Sequence, residues 1–404
     1  MEQARPDVSQ ADMGPGQSLD DYGGREIREI EDLGFEAGGP VWRDRVWLWG
    51  RWAQNDIGID LAGGGTDDTV LENTSVKLNA QITPSNSALA SWNNGDKTVL
   101  GRGAGIGRPP ETTVDQRGPS GIYRFEDSHV FSSSLFVTGT FSIVDGGFSL
   151  TAQGGVGPDA PESWRNASGV WQDNWISGSR SSPSNEFKVD GSHFFSTGSV
   201  NHELKVGGRY RQYEDTDTFV WPGRDIFTYN TTRAHFVGAK RGLGSPVETE
   251  YASLWVQDTI TLGRMTLNAG LRFDRQTGRN LPTSVPANPL VPNVLPALDY
   301  EGADAPFDWT DVTPRVGFTY ALGADRETLV RASFAQFAQQ LSTLNVLRTN
   351  PAGYAYAYFL PPYEDAPYTG TGEELDDPSQ VVAAVNFDPA NPTRLDSPNV
   401  TDPG

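Results

Sequence analysis

Apolar and polar residues alternate along this chain with a period of two, in segments of nine residues or more. Within 72–82, Val76, Leu78, Ala80 and Ile82 fall on one side, and Ser75, Lys77, Asn79 and Gln81 on the other. Met265, Leu267, Ala269, Leu271 and Phe273 oppose Thr266, Asn268, Gly270, Arg272 and Asp274; Leu204, Val206 and Tyr210 oppose Glu203, Lys205 and Arg209. Successive side chains of a strand point to opposite sides of its sheet, so the pattern predicts strands, longer than the ~5–6 residues usual in globular sheets. Twelve strands in six hairpins follow: 26–37 with 46–54, 71–82 with 87–94, 121–131 with 135–144, 186–196 with 200–213, 248–261 with 265–276, and 312–322 with 328–338.

The connections are lopsided. Short turns at 40–45, 83–86, 132–134, 197–199, 262–264 and 323–326 alternate with polar, Gly- and Pro-rich excursions over 55–70, 95–120, 145–185, 214–247, 277–311 and 339–404. A soluble sandwich spreads its loop lengths over both ends. A membrane barrel puts short turns at one rim and long loops at the other, with strands of ~9–11 residues crossing the bilayer. The expected fold is therefore all-β: an antiparallel transmembrane β-barrel fragment of about 12 strands, an open curved sheet with short periplasmic turns and long extracellular loops. Lys77, Lys205, Arg209, Arg211 and Arg272 would face the lumen. Trp42, Trp47, Trp49, Trp52, Phe194, Phe195, Trp255, Phe334 and Phe337 gather near strand ends, as an interfacial girdle or, equally, as the core of a sandwich. The division expected is a disordered or residual segment over 1–25, a partial barrel over 26–338, and a long extracellular loop or truncated tail over 339–404.

Composition narrows the field. Only 36% of the 404 residues are hydrophobic, and no run approaches the ~18 apolar residues of a helical span, so a membrane-resident chain must cross with strands. The net charge of −21 argues against nucleic acid as a partner, which would need clustered Lys and Arg. Cysteine is absent, which an exported β-protein without disulfides tolerates. Met1 is followed by Glu2, Arg5 and Asp7 with no apolar core, so no signal peptide is visible. The chain is then cytoplasmic or part of a longer exported protein, and the strands favour the second.

Catalytic signatures fail on spacing. Gly101, Gly103, Gly105 and Gly107 recur every second residue, unlike a dinucleotide fingerprint, and Gly95-Asp96-Lys97-Thr98 lacks the upstream glycine of a phosphate loop. His129, His193, His202 and His235 form no zinc-ligand pattern. Glu214, Asp215 and Asp217 read as solvated loop acids. No enzyme, cofactor or metal site is expected.

Several segments resemble the barrel of TonB-dependent outer-membrane receptors, particularly the Oar-like group. Gly38-Gly39-Pro40-Val41 followed by Asp44-Arg45-Val46-Trp47-Leu48-Trp49-Gly50 is similar to the family's first barrel hairpin. Phe125-Glu126-Asp127-Ser128-His129-Val130-Phe131, with Asp145-Gly146-Gly147-Phe148, resembles an Oar-like stretch. The segment 251–258 with Leu267-Asn268-Ala269-Gly270-Leu271-Arg272-Phe273-Asp274, and Trp309 with Thr313-Pro314-Arg315-Val316-Gly317, resemble later family strands. The resemblance, over about 25–340, implies a receptor whose complete parent imports a bulky ligand with proton-motive energy delivered by TonB. Family barrels have ~22 strands and carry a plug and a TonB box, so twelve strands imply a fragment, with TonB a partner only of the full-length parent. It implies the outer membrane of a Gram-negative cell, with lipid and lipopolysaccharide as neighbours. Ligand contacts are expected from loop aromatics: Trp164, Trp171, Trp175, Trp221, Tyr354, Tyr356 and Tyr358. The rival is a soluble, secreted all-β glycan-binding or adhesion protein.

Overall fold

The computed structural model describes residues 25–62, 64–231, 234–241, 244–323, 327–352, 356–361 and 367–385. Twelve antiparallel strands form one wall: β1 (Arg25–Trp42), β2 (Val46–Leu61), β3 (Gly65–Thr83), β4 (Asn86–Arg102), β5 (Val114–Ser132), β6 (Leu135–Asp145), β7 (Ser184–Thr197), β8 (Val200–Asp217), β9 (Val247–Leu262), β10 (Met265–Asn280), β11 (Trp309–Leu322) and β12 (Thr328–Ala335). Each pairs with the next in chain order. No pairing joins β1 to β12 among the described residues, so the sheet is open. Nearly every residue of these two edge strands is exposed, as expected where one neighbour is missing.

The register turns the alternation into two distinct faces. Leu48, Leu78, Ala90, Phe125, Phe141, Phe187, Tyr210 and Ala252 lie opposite one another in a single cross-strand row over β2–β9. The six large side chains in it are 39% to 53% exposed, and none belongs to a buried cluster. Trp49, Lys77, Ser91, Arg124, Ser142, Glu186, Arg211 and Tyr251 form the matching row on the other face. An apolar surface this continuous exceeds what a soluble monomer leaves in water. Tight turns close the hairpins at one end; Gly198 and Gly263 supply the positive φ (65° and 58°) that two of them require.

At the other rim the strands run further than their composition suggests. The excursion expected over 55–70 is instead hairpin, because β2 reaches Leu61 and β3 begins at Gly65. Asn55, Ile57, Ile59 and Leu61 keep the alternation through an acidic, Gly-containing stretch, and Arg28 bridges Asp60 and Asp68 at 2.8 and 2.5 Å. Much of 95–120 is likewise strand, whereas β12 ends at Ala335, three residues short of expectation. Gly147–Ala152 and Gly178–Ser181 pair with each other and with β5 and β8, extending the wall above the shorter β6 and β7.

The remaining loops build a cap. Trp171–Gln172, Ser163–Arg165, Ile226–Asn230, His235–Lys240, Tyr356–Phe359 and Val381–Val385 join into a second, six-stranded sheet. Its core is Ile226, Val237, Ala239, Ala357 and Phe359 against Leu290, Val291, Val294, Leu295, Tyr368 and Leu375. After β12 the chain folds back along the polar face of the wall. The Leu341 N–H donates to Gln276 Oε1 (2.8 Å), and the Thr343 hydroxyl to Asp215 (2.9 Å). A short helix, Thr343–Leu347, then rests on β9 and β10. Val346 fits there because position 278 is glycine; a Cβ would lie 2.3 Å from its Cγ2.

Candidate functional site

In the cap strands Ile226, Thr228, Ala357 and Phe359 are fully buried, so their neighbours Phe227, Tyr229, Tyr356 and Tyr358 occupy the other side. The loop tryptophans gather on this side. Trp171 meets Trp175 edge-on (4.5 Å between centroids, 82°) and stacks on Trp221 at 5.8 Å. Trp221 lies 4.6 Å from Phe227, which reaches Tyr356 and Tyr358 at 6.4 and 6.1 Å. Gly238 makes the platform possible: a Cβ there would come within 2.4 Å of the Phe227 ring. Two guanidiniums flank the rings, Arg108 4.0 Å over Trp175 and Arg165 4.8 Å over Tyr229.

Five of the seven aromatics expected at the ligand thus share one half-buried face: Trp171, Trp175, Trp221, Tyr356 and Tyr358. Trp164 stands apart, its Nε1 donating to Asp173 (2.7 Å), and Tyr354 lies outside the described residues. Sequence reasoning missed Phe227, Tyr229, Arg108 and Arg165. The alternation in Ile226-Phe227-Thr228-Tyr229 is the signal that could have found the first two.

Electrostatics follow from burial. Burial pushes Arg108 down to about 10, with Arg102 acting in the same direction, so this guanidinium remains cationic at neutral pH. Burial, with Asp225 adding, pushes the Tyr356 hydroxyl up to about 12. Asp225 itself is held at φ 56° and accepts the Trp221 N–H at 3.0 Å. Burial raises its carboxyl to about 6, only partly offset by the Lys240 ammonium. The folded state then binds more protons than the unfolded chain between about pH 4 and 6, so stability falls as pH rises through that window. The cap should be more stable at pH 5 than at pH 7 by about 1 kcal/mol, and Asp225→Asn should flatten that slope. Thermal melting of cap-specific hydrogen-exchange protection measures it; an unchanged slope in the variant would reject the assignment.

On the polar face of the wall, Arg209, Arg211 and Arg272 surround the Tyr251 ring at 5.3, 5.7 and 5.9 Å. Lys205 shares that face and pairs with Glu203 at 2.8 Å; Lys77 lies further along, opposite Trp49 and Ser91. Two acids read as solvated are not. Asp215 and Asp217 are buried, Asp215 accepting from the Arg180 guanidinium, the Ser182 hydroxyl and Thr343. Among the described residues no group of three or more His, Asp or Glu is placed to hold a metal ion.

Residues 48–389 match the family described as TonB dependent receptor-like, beta-barrel. Among solved structures, the chain is similar to FpvA of P. aeruginosa, described as bound to heterologous pyoverdines (TM-score 0.54, 13% identity, 76% of this chain and 40% of that one). It is similar also to the ferric-catecholate import receptor Fiu of E. coli K12 (0.49, 10%, 84% and 56%) and the siderophore receptor PiuA of Acinetobacter baumannii (0.48, 12%, 83% and 48%). The chain spans about half the length of these structures. No curated protein matches it. Members of the matched family are receptors and transporters rather than enzymes. With two thirds of its length and more inside the matched region, and a wall of the fold that family builds, this chain belongs to the TonB-dependent receptor β-barrel family.

Proposed function

We propose that this chain forms wall and cap of a Gram-negative outer-membrane receptor, whose full-length form binds a bulky ligand and imports it with energy delivered by TonB. The observation that carries the reading is the uncovered apolar row from Leu48 to Ala252, which calls for acyl chains on one side while the other side stays polar. Lipid and lipopolysaccharide would contact the apolar face. Lys77, Lys205, Arg209, Arg211 and Arg272 would face a wet lumen. The wall, Arg25 to Ala335, stands for the partial barrel expected over 26–338, and the described part of 339–404 would belong with the extracellular loops. The Oar-like assignment is the narrower form of the same reading.

The cap's aromatic face is the proposed ligand platform. Stacked indoles flanked by two guanidiniums suit a flat group that carries negative charge. Ferric catecholate and ferric pyoverdine complexes are the first probes, by analogy with the ligands named for Fiu and FpvA. Trp171→Ala and Tyr358→Ala should each weaken binding of whichever probe is held by about tenfold, the worth of one well-packed ring. Full affinity in both variants would remove the platform from the reading. A chain that washes off outer membranes in high salt would overturn the membrane assignment itself.

A further inference from the structure

The first tight turn of the wall sets two cations against the end of its apolar face. Trp42 pairs with Val46, and Val46 with Ala80, so these three continue that face one step beyond the row of Leu48 and Leu78. Trp42 is exposed, and so is Ile82, one step further along β3 on the same side. The Arg45 guanidinium reaches both. It lies 5.7 Å from the Trp42 ring, and its Nη1 donates to the Ile82 carbonyl at 3.5 Å. The backbone fixes its base: the Arg45 N–H donates to Trp42 O (3.0 Å), and Arg45 O accepts the Gln81 N–H (2.7 Å). Asp44, at φ 60°, reverses the chain between Trp42 and Arg45.

Neither arginine of this turn has an acid for a partner. Among the described residues Arg45 makes no ion pair, and Arg43 makes neither an ion pair nor a hydrogen bond. In a chain where 52 acids face 31 Lys and Arg, that sets the turn apart. Two guanidiniums, an indole and a branched apolar side chain thus share the edge where a hydrocarbon-facing surface gives way to water. Guanidinium forks match phosphate oxygens in pairs. A tryptophan ring settles where acyl chains end and headgroups begin.

We propose that this turn binds the phosphate of an anionic phospholipid in the periplasmic leaflet, with Arg45 as principal anchor and Arg43 as second donor. Trp42 and Ile82 then pack against the first carbons of its acyl chains. The proposal rests on the apolar face meeting lipid, and is independent of whatever the cap or the polar side of the wall holds. Arg45 leans towards β3, away from the free edge of β1, so strands added beyond that edge leave it accessible.

The test is native mass spectrometry of the full chain, folded in micelles of an uncharged detergent, with phosphatidylglycerol competing against phosphatidylcholine. Phosphatidylglycerol should be preferred about 25-fold, roughly fivefold from each guanidinium beside an anionic headgroup. Arg45→Gln should reduce that preference about fivefold, and Arg43→Gln combined with it should abolish the preference. Arg45→Lys, which keeps the charge without the fork, should fall between. Trp42→Ala should weaken both lipids alike. Arg117→Gln, which removes an exposed cation from β5 far from the turns, should change nothing. A large excess of inorganic phosphate should leave the lipid bound, because the free ion lacks acyl chains. Gel mobility before and after boiling reports that each variant is folded. Equal affinity for the two lipids, an unchanged preference in the folded double variant, a loss in Arg117→Gln, or displacement by phosphate would each overturn the proposal. Those results strike the turn alone, whereas a chain that washes off outer membranes strikes the lipid-facing reading beneath it.

Discussion

Replacing Asn288 with alanine is expected to open the loop cap while leaving the wall intact. The side chain is fully buried and its amide serves two loops at once. Its Nδ2 donates to the carbonyls of Arg224, Asp225 and Lys240 at 3.3, 3.2 and 2.8 Å. Its Oδ1 accepts the N–H groups of Leu290 and Val291 at 2.8 and 3.1 Å. These bonds fix the start of 288–295 under the strands Ile226–Asn230 and His235–Lys240, where Leu290, Val291, Val294 and Leu295 fill the core. Alanine would strand five backbone groups, four of them buried. Each unsatisfied group costs about 1–3 kcal/mol, and partial entry of water leaves a net loss of about 3–5 kcal/mol. Asn288→Asp should be no better, since it keeps the two accepted bonds but loses the three that the NH2 group donates and buries a charge. Hydrogen exchange should show protection falling across 226–240 and 356–359 and holding in β7–β10. Unaltered protection in the cap would mean that the apolar cluster holds it without this amide.

The wall was legible because one physical rule governs every part of it. Period-two alternation located all twelve strands, and their number against a complete barrel predicted the open sheet. What alternation did not mark was where strands stop. Asp56, Gly58 and Asp60 look like loop, yet they continue β2, because backbone pairing with β3 does not depend on apolar side chains. The cap was illegible for a different reason. Its strands have two to six residues, and Tyr356–Phe359 pairs with His235–Lys240 across more than a hundred positions. Such short segments show at most two repeats of the alternation, too few to stand out from the loops around them. Ile226–Asn230 even pairs in parallel with Ser163–Arg165, from another loop. The tryptophans could be nominated as loop aromatics, but their convergence depends on that pairing and on Gly238. Asp215 shows the same limit for charge: its burial is set by Arg180, Ser182 and Thr343, which no local pattern connects to it.

The two faces of the wall can be separated by neighbouring substitutions on one strand. Val256 and Gln257 are consecutive in β9, so they sit at one depth and point opposite ways. Val256 stands opposite Val206 and Leu271, at the end of the apolar run Ala252, Leu254 and Val256, beyond which Asp258 pairs with His202 on the same face. Gln257 stands opposite Lys205 and Gly270, on the face that carries Arg209 and Arg272. If acyl chains cover the first and water the second, Val256→Arg should cost about 2–4 kcal/mol, the penalty of a guanidinium near the bilayer midplane. Gln257→Arg should stay within about 0.5 kcal/mol, as a polar substitution in water does. The larger figure corresponds to roughly 30- to 1000-fold in the folding equilibrium. Urea titrations of folding into phospholipid vesicles, read by gel mobility before and after boiling, resolve such a gap. The comparison is informative because helix-cap, loop and cap effects cancel between adjacent residues, leaving only the medium each side chain enters. Equal penalties would put both faces in the same medium and return the chain to a soluble, two-layered β-protein. A penalty confined to Val256 leaves only a hydrocarbon exterior and a wet interior, with the unpaired backbone edges of β1 and β12 then requiring further strands wherever lipid would otherwise meet them.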